Sequence, residues 1–376
     1  GLFGVAIIFL FFAGINSDSG LGDRPPISLI DEYYWPGEDS LQYPTCLLTK
    51  QFTVDANKQY GSYLLDYAML SALSYETTNV TDYLLPKWFP FESRDEDEFV
   101  KEYRAVSGTS NVATYFKLFT SPAFENFGIV AIRGSQTIWD WCNNIQLWSA
   151  AALAQAVKWM TPFGWIWTPV LDELVTAVSW VQNTKLREVA YYTAITAFVE
   201  DLRNGTYGNK TIENLFLTGA SLGGGLAIIS GAQTGAPAVA ISGLGAELSR
   251  NTFSPTVSID DINRNVFNFI PDRDYVARVG GRPRQHQEAQ CTASNSKLFA
   301  CHSMWRSVCE IAYRCGTGEP GVALRPIPCR CVYDFGYDLP IAVGNTNQSF
   351  ADACKAEEKA FMAATGSTKE SGFDYK

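Results

Sequence analysis

Five residues, Gly219-Ala220-Ser221-Leu222-Gly223, constrain what this chain can fold into more than any other segment. They follow the apolar run Leu215-Phe216-Leu217-Thr218 and lead into Gly224-Gly225-Leu226-Ala227-Ile228-Ile229, so the pattern predicts a strand, a sharp turn and a helix. Glycine at both ends of the turn removes side chains that would clash where the two backbones nearly touch. The pattern therefore predicts that Ser221 lies above a sheet at a helix N-terminus, where free amides favour developing negative charge.

Apolar segments and helical patterns alternate along the rest of the chain. Strands are predicted at Phe127–Ile132, Asn214–Thr218, Ala238–Ser242 and Asn265–Ile270, and helices at Ser62–Tyr75, Val189–Leu202 and Gly223–Ala232. This alternation predicts an α/β fold with a mainly parallel sheet and helices on both faces. The acidic run Glu92–Glu98 is predicted to form a solvated surface.

A serine hydroxyl needs a base to act as a nucleophile at neutral pH. The chain has two histidines, His286 and His302, and both follow Ser221 in the sequence. Two carboxylates, Asp272 and Asp274, come directly after the predicted strand Asn265–Ile270. The carboxyl ends of such strands are where α/β sheets build their sites, so one of these aspartates should orient the base. The order serine, acid, histidine is the order of the α/β-hydrolases.

Four motifs carry a resemblance to a known family. They are FGIVAIRGS from Phe127, GASLGG from Gly219, IPDRDYVARVG from Ile270 and CHSMWRSVCEIAYRCG from Cys301. Together they resemble the class 3, or fungal-type, lipases of the α/β-hydrolase fold, from about Tyr60 to Gly316.

The resemblance implies a role for individual residues. It implies Ser221 as nucleophile, Asp274 as orienting acid and His302 as base, with Asp272 solvated or supporting and His286 in a loop. The backbone amides of Ser135 and Leu222 would form the oxyanion hole. No metal or cofactor is expected.

Most of the tryptophans lie between the FGIVAIRGS motif and the predicted helix Val189–Leu202. They are Trp139, Trp141, Trp148, Trp159, Trp165, Trp167 and Trp180. The resemblance implies a lid here, with residues from about Trp148 to Trp180 closing over Ser221 in water and seating on a lipid interface when open. An extra helical layer packed on the core is the alternative, and the sequence does not decide between them.

The function predicted from these residues is serine-dependent hydrolysis of lipid carboxylic esters through an acyl-enzyme. Triacylglycerol, phospholipid and galactolipid head groups all remain open. The alternative function is a catalytically silent, lipase-like scaffold, associated with a membrane or part of a larger assembly. Retention of all three triad candidates argues against a silent scaffold. The oligomeric state is left open.

A hydrolase domain is predicted for residues 60–315, and the segments outside it indicate export. Residues 1–19 begin with the apolar run Leu2–Ala13, which predicts a signal peptide or a membrane anchor. Residues 20–59 are predicted to form an extended arm, and residues 316–376 a Cys- and Pro-rich extension that is mostly loop. A formal net charge of -10 argues against a nucleic-acid partner.

The cysteine content, nine residues in all, also indicates export. Six of them are concentrated in one C-terminal stretch: Cys291, Cys301, Cys309, Cys315, Cys329 and Cys331. In an exported chain this density predicts disulfides. Bridges among Cys291, Cys301, Cys309 and Cys315 are expected to hold the loop that carries His302. The predicted location is secreted or otherwise extracytosolic, with or without membrane association.

Overall fold

A computed structural model describes residues 29–30, 33–34, 63–89, 91–107, 115–122, 124–134, 148, 191–205, 211–293, 300–315, 327–342 and 347–366. These residues fall into two compact units. The first, which we call the sheet unit, draws its described residues from Cys46–Ile270 and Tyr275–Glu288. The second, the disulfide unit, draws them from Gly1–Thr45, Pro271–Asp274 and Ala289–Lys376.

The strands of the described residues are, in chain order, β1 (Leu29–Ile30), β2 (Tyr33–Tyr34), β3 (Glu92–Ser93), β4 (Phe116–Ser121), β5 (Phe124–Ile132), β6 (Asn214–Ala220), β7 (Ala238–Ile241), β8 (Val266–Pro271), β9 (His286–Ala289), β10 (Ile327–Pro328) and β11 (Ile341–Ala342). The four strands predicted from the sequence correspond to β5, β6, β7 and β8. His286 begins β9 rather than lying in a loop, which corrects the expectation for that residue.

The α-helices of the described residues are α1 (Leu64–Leu73), α2 (Thr78–Trp88), α3 (Glu98–Ser107), α4 (Tyr191–Arg203), α5 (Leu222–Thr234), α6 (Ile259–Asn265), α7 (Met304–Cys315), α8 (Cys329–Tyr333) and α9 (Phe350–Thr365). The three helices predicted from periodicity correspond to α1, α4 and α5. Their ends differ from the predicted ends by a few residues, as expected where end residues lack periodic neighbours.

The main sheet has seven strands in the order β3-β4-β5-β6-β7-β8-β9. β5, β6, β7 and β8 pair in parallel, while β3 and β4 add antiparallel pairs at one edge. The parallel strands are apolar along nearly their whole length because strands of this kind are covered on both faces. The prediction of a mainly parallel α/β sheet is confirmed.

Two consecutive residues of β6 show that helices cover both faces. Thr218 faces α1, where its hydroxyl donates to the carbonyl of Tyr67 at 3.2 Å. A Cβ placed on the next residue, Gly219, would lie 2.5 Å from the carbonyl oxygen of Gly223, at the start of α5. Because successive strand residues point to opposite faces, α1 and α5 lie on opposite sides of the sheet.

The acidic run Glu92–Glu98 is not simply a solvated surface, which corrects that expectation. Asp95 is buried, and its carboxylate lies 2.7 Å from Nζ of the fully buried Lys117 and 2.6 Å from Nη2 of Arg104. Lys117 also donates to the hydroxyl of Thr81 at 2.6 Å. Burial lowers the pKa of Lys117, and the nearby Asp95 carboxylate opposes that shift. The charge pattern could not reveal Asp95 as a counterion because both of its partners lie outside the run.

Replacing Asp95 with asparagine is expected to lower the free energy of unfolding by about 3–5 kcal/mol, since Lys117 would be left buried without its counterion. Glu96→Gln is the matched control, because Glu96 forms an exposed ion pair with Lys101 and such pairs contribute about 0–1 kcal/mol. Denaturant unfolding measures both variants. Equal unfolding midpoints for the two would contradict the stabilising role of the buried pair.

The disulfide unit contains two antiparallel pairs of short strands, β1 with β10 and β2 with β11. Three disulfides occur among the described residues: Cys291–Cys301, Cys309–Cys331 and Cys329–Cys354. The prediction of disulfides is confirmed, although Cys309 pairs with Cys331 rather than within the expected group of four. These bonds indicate an oxidising, extracytosolic compartment.

The C-terminal extension is less irregular than expected. It contains the 16-residue helix α9, which begins at Phe350 after Ser349 accepts a hydrogen bond from the Asp352 amide. An N-terminal cap of this kind satisfies a backbone donor of the first helical turn. Within the described ranges, no helix combines the length and apolar character needed to cross a membrane. The apolar segment Leu2–Ala13 lies outside those ranges.

Candidate active site

Ser221 occupies a strained turn between β6 and α5. Its backbone has φ 56° and ψ -125°, a conformation that residues with a side chain rarely adopt. The turn is held by hydrogen bonds from the Ser221 amide to the Ile241 carbonyl, at 3.1 Å, and from the Gly225 amide to the Ser221 carbonyl, at 3.0 Å. The strand, turn and helix predicted for this segment are therefore present. Strain of this kind is concentrated at functional positions in proteins.

The glycines on either side of Ser221 are needed because backbones approach closely there. A Cβ on Gly219 would contact the backbone of Gly223, and a Cβ on Gly223 would overlap the carbonyl of Ile132, the last residue of β5. Any larger residue at either position would force β5, β6 and α5 apart.

One of the two predicted oxyanion-hole residues is described. Leu222 is the first residue of α5, where a backbone N–H has no acceptor within the helix. That N–H is therefore suited to hold a negatively charged oxygen. Ser135 lies outside the described residues, so the second amide stays a prediction.

Tyr75 connects the segment before Ser135 to the segment before Ser221. Its hydroxyl accepts a hydrogen bond from the Gly134 amide at 2.9 Å and donates to the Ala220 carbonyl at 3.3 Å. Sequence reasoning missed this residue, because Tyr75 is 145 positions from Ala220 and no local pattern marks it.

Asp274 and His302 form a hydrogen-bonded pair. Nδ1 of His302 lies 2.8 Å from Oδ2 of Asp274, and the Asp274 carboxylate is fully buried, whereas the imidazole is 17% exposed. A carboxylate can only accept, so Nδ1 carries the proton and Nε2 is the nitrogen suited to act as a base. Both residues belong to the disulfide unit, and Ser221 and Leu222 belong to the sheet unit.

The neighbouring aspartate has a different partner. Oδ1 of Asp272 accepts a hydrogen bond from the Cys291 amide at 2.8 Å. Asp272 therefore supports the backbone of the loop that contains Cys291. His286 is placed elsewhere, with Nδ1 2.8 Å from the Pro283 carbonyl in the sheet unit.

A second strained serine lies at the end of the next strand. Ser242 follows β7 with φ 53°, is 3% exposed, and its hydroxyl is without a hydrogen-bond partner in the described part of the chain. Its amide donates to the Phe269 carbonyl at 2.8 Å. The sequence contained no signal for this residue, because the predicted strand Ala238–Ser242 ran through it.

Of the predicted lid, from about Trp148 to Trp180, the structure describes Trp148. It is fully buried, and its indole Nε1 donates to the Gly245 carbonyl at 2.7 Å. Its ring also packs against Gly225 in α5. Trp148 therefore belongs to the core of the sheet unit. The rest of the predicted lid, with the other tryptophans of the insertion, lies outside the described residues.

No family model matches the chain, and no curated protein matches its sequence. The resemblance to class 3 lipases therefore stays an expectation based on the four motifs. Within the described ranges, no group of three His, Cys, Asp or Glu side chains is placed to hold a metal ion.

Proposed function

We propose that the chain is a serine-dependent hydrolase of lipid carboxylic esters. The observation that carries this proposal is the 2.8 Å hydrogen bond from His302 Nδ1 to the buried Asp274 carboxylate. A buried carboxylate fixes the tautomer of the imidazole and stabilises the imidazolium that forms when the base takes a proton. The strained turn at Ser221 supplies the matching nucleophile.

The order of the sheet supports assigning the pair to Ser221. Ser221 directly follows β6, and Asp274 comes three residues after the end of β8. These strands are parallel and separated by β7 alone, so the chain leaves both strands at the carboxyl edge of the sheet. Sites in sheets of this kind form at that edge.

The proposed reaction has two steps. Nε2 of His302 takes the proton from the Ser221 hydroxyl as its oxygen attacks the ester carbonyl carbon, and the alcohol leaves with that proton. Water, deprotonated by His302, then attacks the acyl carbonyl carbon, the bond to the Ser221 oxygen breaks, and His302 returns the proton to that oxygen as the acid is released. The Leu222 amide, together with the predicted Ser135 amide, would hold the oxyanion in both steps.

The aromatic insertion supports lipids as the substrate class. The sequence between the FGIVAIRGS motif and α4 is apolar and rich in tryptophan, a composition suited to a lipid interface, where burial contributes roughly 25 cal/mol per Å². On this proposal the chain acts on aggregated lipid rather than on dissolved ester.

The test is hydrolysis of esters of increasing chain length by the purified chain, below and above each ester's solubility limit. We expect turnover that rises when substrate aggregates, and that is lost after treatment with a serine-directed phosphonate. Emulsions of triacylglycerol, phospholipid and galactolipid distinguish the head groups. Failure to hydrolyse any ester and to react with the phosphonate would overturn the proposal.

Replacing Tyr75 with phenylalanine is expected to lower kcat by about 10-fold to 100-fold, because without its contacts to Gly134 and Ala220 the proposed oxyanion-hole amides are held less precisely. Tyr192→Phe is the matched control, since its hydroxyl accepts from the Ser254 amide at 2.7 Å, elsewhere in the sheet unit. Steady-state kinetics compares the two variants. Equal losses of kcat would show that Tyr75 has no special relation to the site.

A further inference from the structure

The turn after β8 carries three consecutive polar residues, Asp272, Arg273 and Asp274. It is closed by a hydrogen bond from the Asp274 amide to the Pro271 carbonyl at 2.9 Å. We propose that Arg273 is a positioning residue, which acts through the Cys291–Cys301 disulfide to maintain the hydrogen bond between His302 and Asp274. The catalytic meaning of this inference rests on the proposed function.

The first step is the contact between Arg273 and the loop that contains Cys291. Nη2 of Arg273 donates to the carbonyls of Cys291 and Ala293, each at 2.5 Å. Asp272 accepts from the Cys291 amide at 2.8 Å. Adjacent residues of one turn therefore hold both the N–H and the carbonyl of Cys291.

The second step is the disulfide itself. It joins Cys291 to Cys301 with a Cα–Cα distance of 5.8 Å, and both cysteines are buried together with Ala293. The residue after Cys301 is His302, whose imidazole returns to Asp274. The contacts are therefore continuous from Arg273 to Cys291, across the disulfide to Cys301, and from His302 to Asp274, which lies in the same turn as Arg273.

The loop is also anchored on its other side. The amide and hydroxyl of Thr292 donate to Oε1 of Glu310 at 2.7 and 2.8 Å, and Glu310 is buried on α7. Burial and the nearby Glu310 carboxylate raise the pKa of Tyr337, whose hydroxyl lies 3.1 Å from the Thr292 hydroxyl. This second anchor means that loss of Arg273 should loosen the loop without unfolding it.

A guanidinium suits this role because its donors are rigidly arranged in a plane, whereas a lysine ammonium is a compact charge on a flexible stem. Lysine at position 273 should therefore restore part of the positioning, and methionine none. This difference separates a hydrogen-bonding role from simple packing of the side-chain stem.

The first experiment compares Arg273→Met, Arg273→Lys and the control Arg250→Met. Arg250 also donates to a backbone carbonyl, that of Glu247 at 2.8 Å, but in the sheet unit. We expect kcat to fall by about 10-fold to 100-fold in Arg273→Met with little change in KM, less in Arg273→Lys, and hardly at all in the control. Equal kcat in all three variants and the parent chain would overturn the proposal.

A spectroscopic measurement keeps the test independent of ester hydrolysis. A histidine that donates Nδ1–H to a carboxylate gives a far-downfield proton signal, and His286→Gln identifies which of the two histidines produces it. We expect the His302 signal in the parent chain and its loss or displacement in Arg273→Met. An unchanged signal would overturn the positioning role even if the chain hydrolyses no ester, so the two failures are distinguishable.

The disulfide step is tested by two double variants. Cys291→Ala with Cys301→Ala removes the bridge next to His302, and Cys329→Ala with Cys354→Ala removes a control bridge. The control bridge spans 25 residues rather than 10, so its loss should reduce stability more. We expect loss of the Cys291–Cys301 bridge, in contrast, to lower kcat and displace the His302 signal more than loss of the Cys329–Cys354 bridge does. If loss of the control bridge had the larger effect on stability, on kcat and on the His302 signal alike, the Cys291–Cys301 bridge would contribute to stability alone. If Arg273→Met fails to fold, kcat and the His302 signal of Arg273→Lys decide the question, and values equal to those of the parent chain would overturn the proposal.

Discussion

Replacing Ser221 with alanine is expected to lower kcat for ester hydrolysis by about 10⁴-fold or more, because it removes the hydroxyl of the proposed nucleophile. Alanine has the same preference as serine against a positive φ, so the variant keeps the strained turn and should unfold at nearly the same denaturant concentration. Initial rates on the best ester, together with phosphonate labelling followed by mass spectrometry, measure the effect.

Ser242→Ala is the matched control for this experiment. Ser242 also has a positive φ at the end of a strand, but it is 3% exposed. We expect its loss to lower kcat by less than about 10-fold, since Ser242 is not part of the proposed triad. Loss of activity in Ser242→Ala, with activity retained in Ser221→Ala, would contradict the assignment of the nucleophile.

Replacing Asp274 with asparagine is expected to lower kcat by about 10⁴-fold, because an amide in place of the carboxylate favours the wrong tautomer of His302. The geometry is otherwise preserved, since asparagine has the same shape. Steady-state kinetics measures the loss, and near-ultraviolet circular dichroism checks that packing is unchanged.

The neighbouring Asp272→Asn provides the comparison. An asparagine oxygen can still accept the hydrogen bond from the Cys291 amide, so we expect a loss of less than about 10-fold. Equal losses of kcat in Asp274→Asn and Asp272→Asn would contradict the assignment of Asp274 alone as the acid that orients His302.

Local patterns predicted the framework of the sheet well. The segments that became β5, β6, β7, β8 and α5 are apolar runs separated by turn residues, and such runs encode strands and helices locally. The turn at Ser221 could be predicted because the need for glycine on both sides is itself local. The residues alone do not distinguish Asp272 from Asp274 as the orienting acid, and only the family resemblance favours Asp274.

Contacts between distant segments could not be predicted in this way. Tyr75 reaches Ala220 across 145 positions, and Asp95, in the turn after β3, pairs with Lys117 in β4. Cysteine spacing predicted disulfides but not that Cys309 pairs with Cys331, because connectivity depends on the folded path of the chain. Arg273 was likewise unremarkable in the sequence, since its acceptors are backbone carbonyls.

The strained backbone of Ser221 has a consequence for engineering. A non-glycine residue in this conformation costs of the order of 1–3 kcal/mol, and glycine would adopt it without that cost. A library selected for heat resistance alone would therefore tend to replace the proposed nucleophile with glycine and enrich inactive variants. Directed evolution of this chain should keep codon 221 constant and look for added stability elsewhere.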